Sequence, residues 1–184
     1  MDYAARIAEL GFNSNVLDDV TKQMIEVPRF CSVADKLPLG EGLPRWGKQG
    51  LTYAVLGNLQ GIPNDSIARA AEIAWSRIAK VCDIRASLIK TPGEAADITM
   101  SVGAIDGPGS VLAWAELPGA ASVRQLKMMI GRDESWVIAD TAPVGRIDLI
   151  RVICHELCHN LGIAHLGPGA LMSPTYSSQI KEPQ

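Results

Sequence analysis

Two hydrophobic periods alternate along this chain, and the switch between them predicts its elements. Residues 51–56 (LTYAVL) read as a strand, whereas residues 64–81 take a helical period that sets Ile67, Ala71, Ala74, Trp75 and Ile78 on one face. Asn64 or Asp65 is positioned to cap that helix. Further strands are expected at 84–89, 97–102, 111–116 and 136–139, divided by turn signals such as TPGE and DGPG, and a second long helix over 147–161. Upstream, residues 4–10 and 17–26 fit short helices, the second begun by Asp18 and Asp19. The Gly/Pro-rich stretch 36–44 (KLPLGEGLP) then reads as a linker. The expected organisation is a small helical segment over 1–44 and a main domain over 45–184. The main domain is of the α/β (α+β) class, with two helices on one face of a twisted, mixed five-stranded sheet.

Composition narrows the partners. The chain has 184 residues and is 47% hydrophobic, enough for one well-buried domain with an appendage. Its 17 basic and 20 acidic residues leave a net charge of -3, without the positive excess that nucleic-acid binding needs. No apolar run approaches the roughly 18 residues of a membrane span, and residues 1–20 show no secretory signal pattern. A soluble chain is expected, with its compartment open. The four cysteines, Cys31, Cys82, Cys154 and Cys158, lack any CxxC spacing and read as free thiols.

The chemistry is concentrated in HELCHNLGIAH, residues 155–165, which holds all 3 histidines of the chain. His155 and His159, one helical turn apart, project from the same face and can share a tetrahedral ion. Glu156 stands beside them, placed to hold a water whose pKa zinc lowers to about 7 and to take its proton during attack on a carbonyl. Gly162 allows the turn that returns His165 as third ligand. Ordinary helix histidines are the alternative, but the offsets of Gly162 and His165 make coincidence improbable.

HExxHxxGxxH followed by a methionine turn is the signature of the metzincin metallopeptidases, and Met172 stands where that methionine is expected. Within that clan PGALMSPTY (residues 168–176) resembles the matrixins, as do RWGKQGLTY (45–53) and DGPGSVLAWAELPG (106–119). The resemblance implies a metzincin-like fold and a zinc-dependent endopeptidase acting on protein or peptide substrates. It places Met172 beneath the imidazoles and makes Pro174 and Tyr176 walls of the pocket for the residue after the scissile bond. Val111, Leu112 and Ala113 would belong to the edge strand that takes up an extended substrate.

Against the matrixin pattern, Trp114 and Met129 replace two histidines of the usual structural zinc site, so that second zinc is not expected. Asp106, Gly107, Gly109 and Glu134 could hold calcium, although Gly131 replaces another expected acid; a plain turn is the alternative. The stretch PRFCSVAD (28–35) resembles the matrixin cysteine-switch motif with one residue inserted. By that resemblance Cys31 would be an inhibitory fourth zinc ligand in a truncated pro-segment, with Arg29 and Asp35 paired to brace it. A small buried apolar Cys31 is the alternative. The second function considered is a non-catalytic structural or binding component, in a larger assembly, that keeps the fold.

Overall fold

The computed structural model describes residues 30–31, 46–91, 94–118, 125–139, 142–143, 145–166 and 169–176. The helices expected over 4–10 and 17–26, the 36–44 linker and the Arg29–Asp35 pair lie outside the described residues. The described elements are β1 (Phe30–Cys31), β2 (Gly50–Leu56), α1 (Asn64–Ile78), β3 (Arg85–Leu88), β4 (Ile98–Gly103), β5 (Val111–Ala115), β6 (Leu126–Gly131), β7 (Trp136–Val137), β8 (Ile147–Asp148) and α2 (Leu149–Asn160).

The main sheet runs β1-β5-β6-β4-β2-β3. Strands β3, β2, β4 and β6 are mutually parallel, and β5 is antiparallel to β6. This is the expected mixed five-stranded sheet, extended at the β5 edge by the two residues of β1, which pair parallel to β5. Both helices pack on the sheet and on each other, α1 toward β2 and β3, α2 toward β5 and β6. Alternation in β2 buries Leu51, Tyr53 and Val55, and the predicted face of α1 is buried throughout.

Three expectations are corrected. The strand at β6 was not anticipated, because its sequence, LKMMIG, lacks the β-branched run that marks a strand. Its alternate residues Leu126, Met128 and Ile130 are nonetheless buried, and it lies at the centre of the sheet. The strand expected at 136–139 is outside the main sheet and pairs with β8 in a separate two-stranded ladder, so the second helix starts at Leu149. Neither Asn64 nor Asp65 caps α1, since the cap position is Pro63. Asn64 instead sends its Nδ2 to the carbonyls of Val55 (3.0 Å) and Gly57 (2.9 Å), tying the helix start to the end of β2. Among the described residues no helix is long and apolar enough to cross a membrane.

Candidate metal centre

Helix α2 is buried along its whole length. It starts at Asp148, whose Oδ1 accepts from the Ile150 N–H at 3.0 Å, a side-chain N-cap. It ends at Gly162, whose φ of 94° favours glycine. There the Gly162 N–H donates to His159 O (2.8 Å) and the Ile163 N–H to Cys158 O (2.9 Å), the bond pair of a Schellman turn. That turn reverses the chain and brings His165 back toward the two helix histidines.

The His155 Nδ1 lies 2.7 Å from Leu171 O and the His159 Nδ1 2.8 Å from Ile163 O. Carbonyls only accept, so each ring carries its proton on Nδ1 and turns an Nε2 lone pair inward. Burial foremost pushes His155 down to about 3 and His159 down to about 4, which keeps both rings neutral. The His159 Nε2 lies 3.1 Å from that of His155 and 3.2 Å from that of His165. A tetrahedral zinc with Zn–N bonds of about 2.0–2.1 Å separates its nitrogens by roughly 3.3–3.4 Å, so the donor set fits that ion. Met172 and Leu171 are buried, and Leu171 O is the carbonyl that orients His155.

Cys31 completes the cluster: its Sγ and one nitrogen from each histidine all lie within 4.8 Å of one another. The thiol also donates to Glu156 Oε2 at 3.4 Å. Glu156 is 1% exposed, and burial pushes its carboxyl up to about 8 while the thiol hydrogen bond pulls the other way. Backbone contacts hold Cys31 on both sides of the cleft. The Cys31 N–H donates to Pro174 O (3.3 Å), and β1 pairs Phe30 with Val111 and Cys31 with Ala113. The edge formed by Val111, Leu112 and Ala113 is thus covered by the chain's own β1.

Leu112, Pro174 and Tyr176 line a pocket beside Cys31, His155 and Glu156, with about 20 Å³ of free space, room for about one water. Tyr176 is a wall: its Oη accepts from the Asp148 N–H at 2.9 Å, at the start of α2. Arg151, which no motif signalled, also lines this pocket. Its position was legible, since it stands one helical turn before His155 and shares that face.

Asp106 and Glu134 are each engaged with the loop itself, Asp106 Oδ2 accepting from Val111 N–H (3.1 Å) and Glu134 Oε1 from Gly109 N–H (2.7 Å). Gly107 and Gly109 have φ of 87° and 86°, so the segment is a tight turn stitched to Glu134. A Cβ at Gly131 would approach Leu112 O to 3.0 Å, a tight fit for an acid at that position. Trp114 and Met129 are cross-strand partners of β5 and β6. Cys154 and Cys158 are buried, and the Cys154 hydrogen bond together with burial holds the Cys158 thiol well above its ordinary range.

Comparison with known proteins accords with this geometry. The matrixin family model matches residues 45–184. The chain is 32% identical to stromelysin-1 of Mus musculus over 171 residues, covering 88% of this chain and 34% of that protein. It is 32% identical to interstitial collagenase of Equus caballus over 173 residues (86% and 34%) and 32% identical to matrix metalloproteinase-20 of Homo sapiens over 176 residues (87% and 34%). These alignments cover more of the chain than residues 45–184 contain, so the similarity continues into the N-terminal segment. The chain spans about a third of the length of these relatives.

Proposed function

This chain belongs to the matrixin family, and from that membership we propose that it is a zinc-dependent endopeptidase kept latent by its own Cys31. In this reading residues 45–184 are the catalytic unit and residues 1–44 an inhibitory pro-segment. The observation that carries it is the convergence of Cys31, His155, His159 and His165 on one point beside the buried carboxylate of Glu156.

His155, His159 and His165 would hold zinc through their Nε2 atoms, and the ion would supply Lewis acidity toward a peptide carbonyl and water. The chain's own residues do the rest. The Leu171 and Ile163 carbonyls fix the ring tautomers that make His155 and His159 ligands. Glu156, buried beside the histidines, takes a proton from water on its carboxylate during attack and returns it to the departing amine. The β5 edge binds an extended peptide backbone, and the pocket lined by Leu112, Pro174 and Tyr176 receives the side chain after the scissile bond.

Latency is supported by what β1 occupies. It takes the β5 edge, bonds Pro174 O on the opposite wall and places its thiol among the imidazoles, the three positions a substrate needs. Cleavage of a quenched peptide tests the reading. The full-length chain should be nearly silent, Cys31→Ser should raise the rate at least tenfold, and adding Glu156→Ala should abolish it. Zinc should be present at about one per chain in all three. Turnover that persists with Glu156→Ala would refute the mechanism, and equal rates with and without Cys31 would refute latency.

A further inference from the structure

Helix α2 ends on a polar residue that the proposed reaction does not use. Asn160 follows His159 directly and is 0% exposed, yet its polar groups reach three parts of the fold. Its Nδ2 donates to Glu116 O at 2.8 Å, just past the end of β5, and to Lys127 O in β6 at 3.4 Å. The same point of the sheet is closed by the Glu116 N–H, which donates to Lys127 O (2.9 Å), and by Glu116 Oε2, which accepts from the Lys127 N–H (2.8 Å). The Asn160 carbonyl, one of the four that a helix leaves without an internal partner at its C-terminus, accepts from Trp46 Nε1 at 2.9 Å. Its Oδ1 is buried with no hydrogen-bond partner among the described residues.

An acceptor left alone in the interior costs stability, and a leucine of nearly the same size would avoid that cost. Such departures from the most stable choice are expected where a position serves a site. The last turn of α2 carries His159 and leads into the loop whose Ile163 O meets the His159 Nδ1 at 2.8 Å. The Asn160 amide pins that turn to the join of β5 and β6, and β5 is the edge assigned above to the substrate backbone. From this arrangement we infer that Asn160 is a positioning residue: through the backbone of the last helical turn it holds the His159 Nε2 at a fixed place relative to the β5 edge. The role needs no contact with the ion or with a peptide.

The part played by the edge rests on the proposed peptidase function, whereas zinc affinity does not depend on it, and the test reads both. The full-length Cys31→Ser chain is compared with the same chain carrying Asn160→Leu or Asn160→Ser, the second of which keeps a shorter donor. Zinc affinity is measured by competition with a chromogenic chelator, and the melting temperature is taken without metal. Asn160→Leu should weaken zinc binding about tenfold and Asn160→Ser about threefold, as when the groups supporting a ligand are disturbed. The metal-free melting temperature should change little with Asn160→Leu, because the lost donor and the removed orphan acceptor offset one another. With a quenched peptide, kcat should fall about tenfold and KM stay within about twofold, since the change misplaces reacting groups and leaves peptide binding intact. A purely structural asparagine would instead lower the metal-free melting temperature and leave zinc affinity and kcat unchanged, a result that overturns the assignment. Weakened zinc binding in a series whose Asn160-containing parent cleaves no peptide would sink the peptidase function and leave the positioning role standing. Should Asn160→Leu fail to fold, Asn160→Ser decides alone, and parent-like zinc affinity in that chain overturns the assignment.

Discussion

Single residues at the candidate metal centre act by fixing where protons and lone pairs point. His155 and His159 each meet a backbone carbonyl at Nδ1, so their ligand atoms are chosen by main-chain geometry rather than by each other. Gly162 has a comparable effect on His165, because its positive φ sets the direction in which the chain leaves the helix. Replacing it with alanine forces a Cβ into that conformation at a cost of about 1–2 kcal/mol. Gly162→Ala is therefore expected to lower the melting temperature and to reduce zinc content after dialysis against a weak chelator. An unchanged zinc stoichiometry and an unchanged melting temperature would contradict this role. The grouping of the three histidines and Glu156 is legible in the sequence, since all four fall within residues 155–165. Arg151 was visible only as a position, because whether a guanidinium finds a partner depends on residues distant in the chain.

At the scale of elements, one carboxylate reinforces the parallel pairing of β2 and β4. Asp97, just before β4, accepts from Lys48 Nζ at 2.7 and 2.9 Å and from the N–H and Oγ1 of Thr52 in β2 at 2.7 and 3.0 Å. Partial burial alone would raise its pKa, but the bonds from Lys48 and Thr52 together hold it below the usual carboxylate range. A folded-state pKa below the unfolded value stabilises the fold above the unfolded pKa of about 4, and that gain is lost as pH falls through the folded value. Asp97→Asn should thus cost roughly 1 kcal/mol or less at pH 7, after allowance for solvent screening. The difference in urea midpoint between the two chains should narrow as the pH drops below about 4. A constant difference across that range would show that the carboxylate charge is not what ties the strands. Strand β6 illustrates the limits of local signals. Its central place follows from the parallel pairing with β4 and the antiparallel pairing with β5, neither of which its methionines and lysine announce.

For the whole molecule, the candidate metal centre gathers segments that are far apart in sequence: the N-terminal β1, helix α2 and the His165 loop, with Leu171 O beside His155. An ion held by Cys31, His155, His159 and His165 would stabilise the folded state by about 2.7 kcal/mol at a hundredfold excess over Kd. Removing it with a strong chelator is expected to lower the melting temperature by about 5–10 °C for a domain of this size. Because Cys31 is also a candidate ligand, the drop should be smaller in Cys31→Ser, as read by differential scanning calorimetry. Equal drops in the two chains would indicate that the thiol contributes nothing to ion binding.

By itself the sequence determined the helix that presents His155, Glu156 and His159, the glycine turn behind it, and the family to which these motifs belong. Each of these is encoded within a few residues of chain. Only the tertiary structure decided that Cys31 meets the histidines, that β1 covers the β5 edge, and that the Arg151 guanidinium lies over the Tyr176 ring. Those contacts span from 25 to 134 positions of sequence, and no local period or spacing encodes a meeting that depends on how the sheet and helices pack.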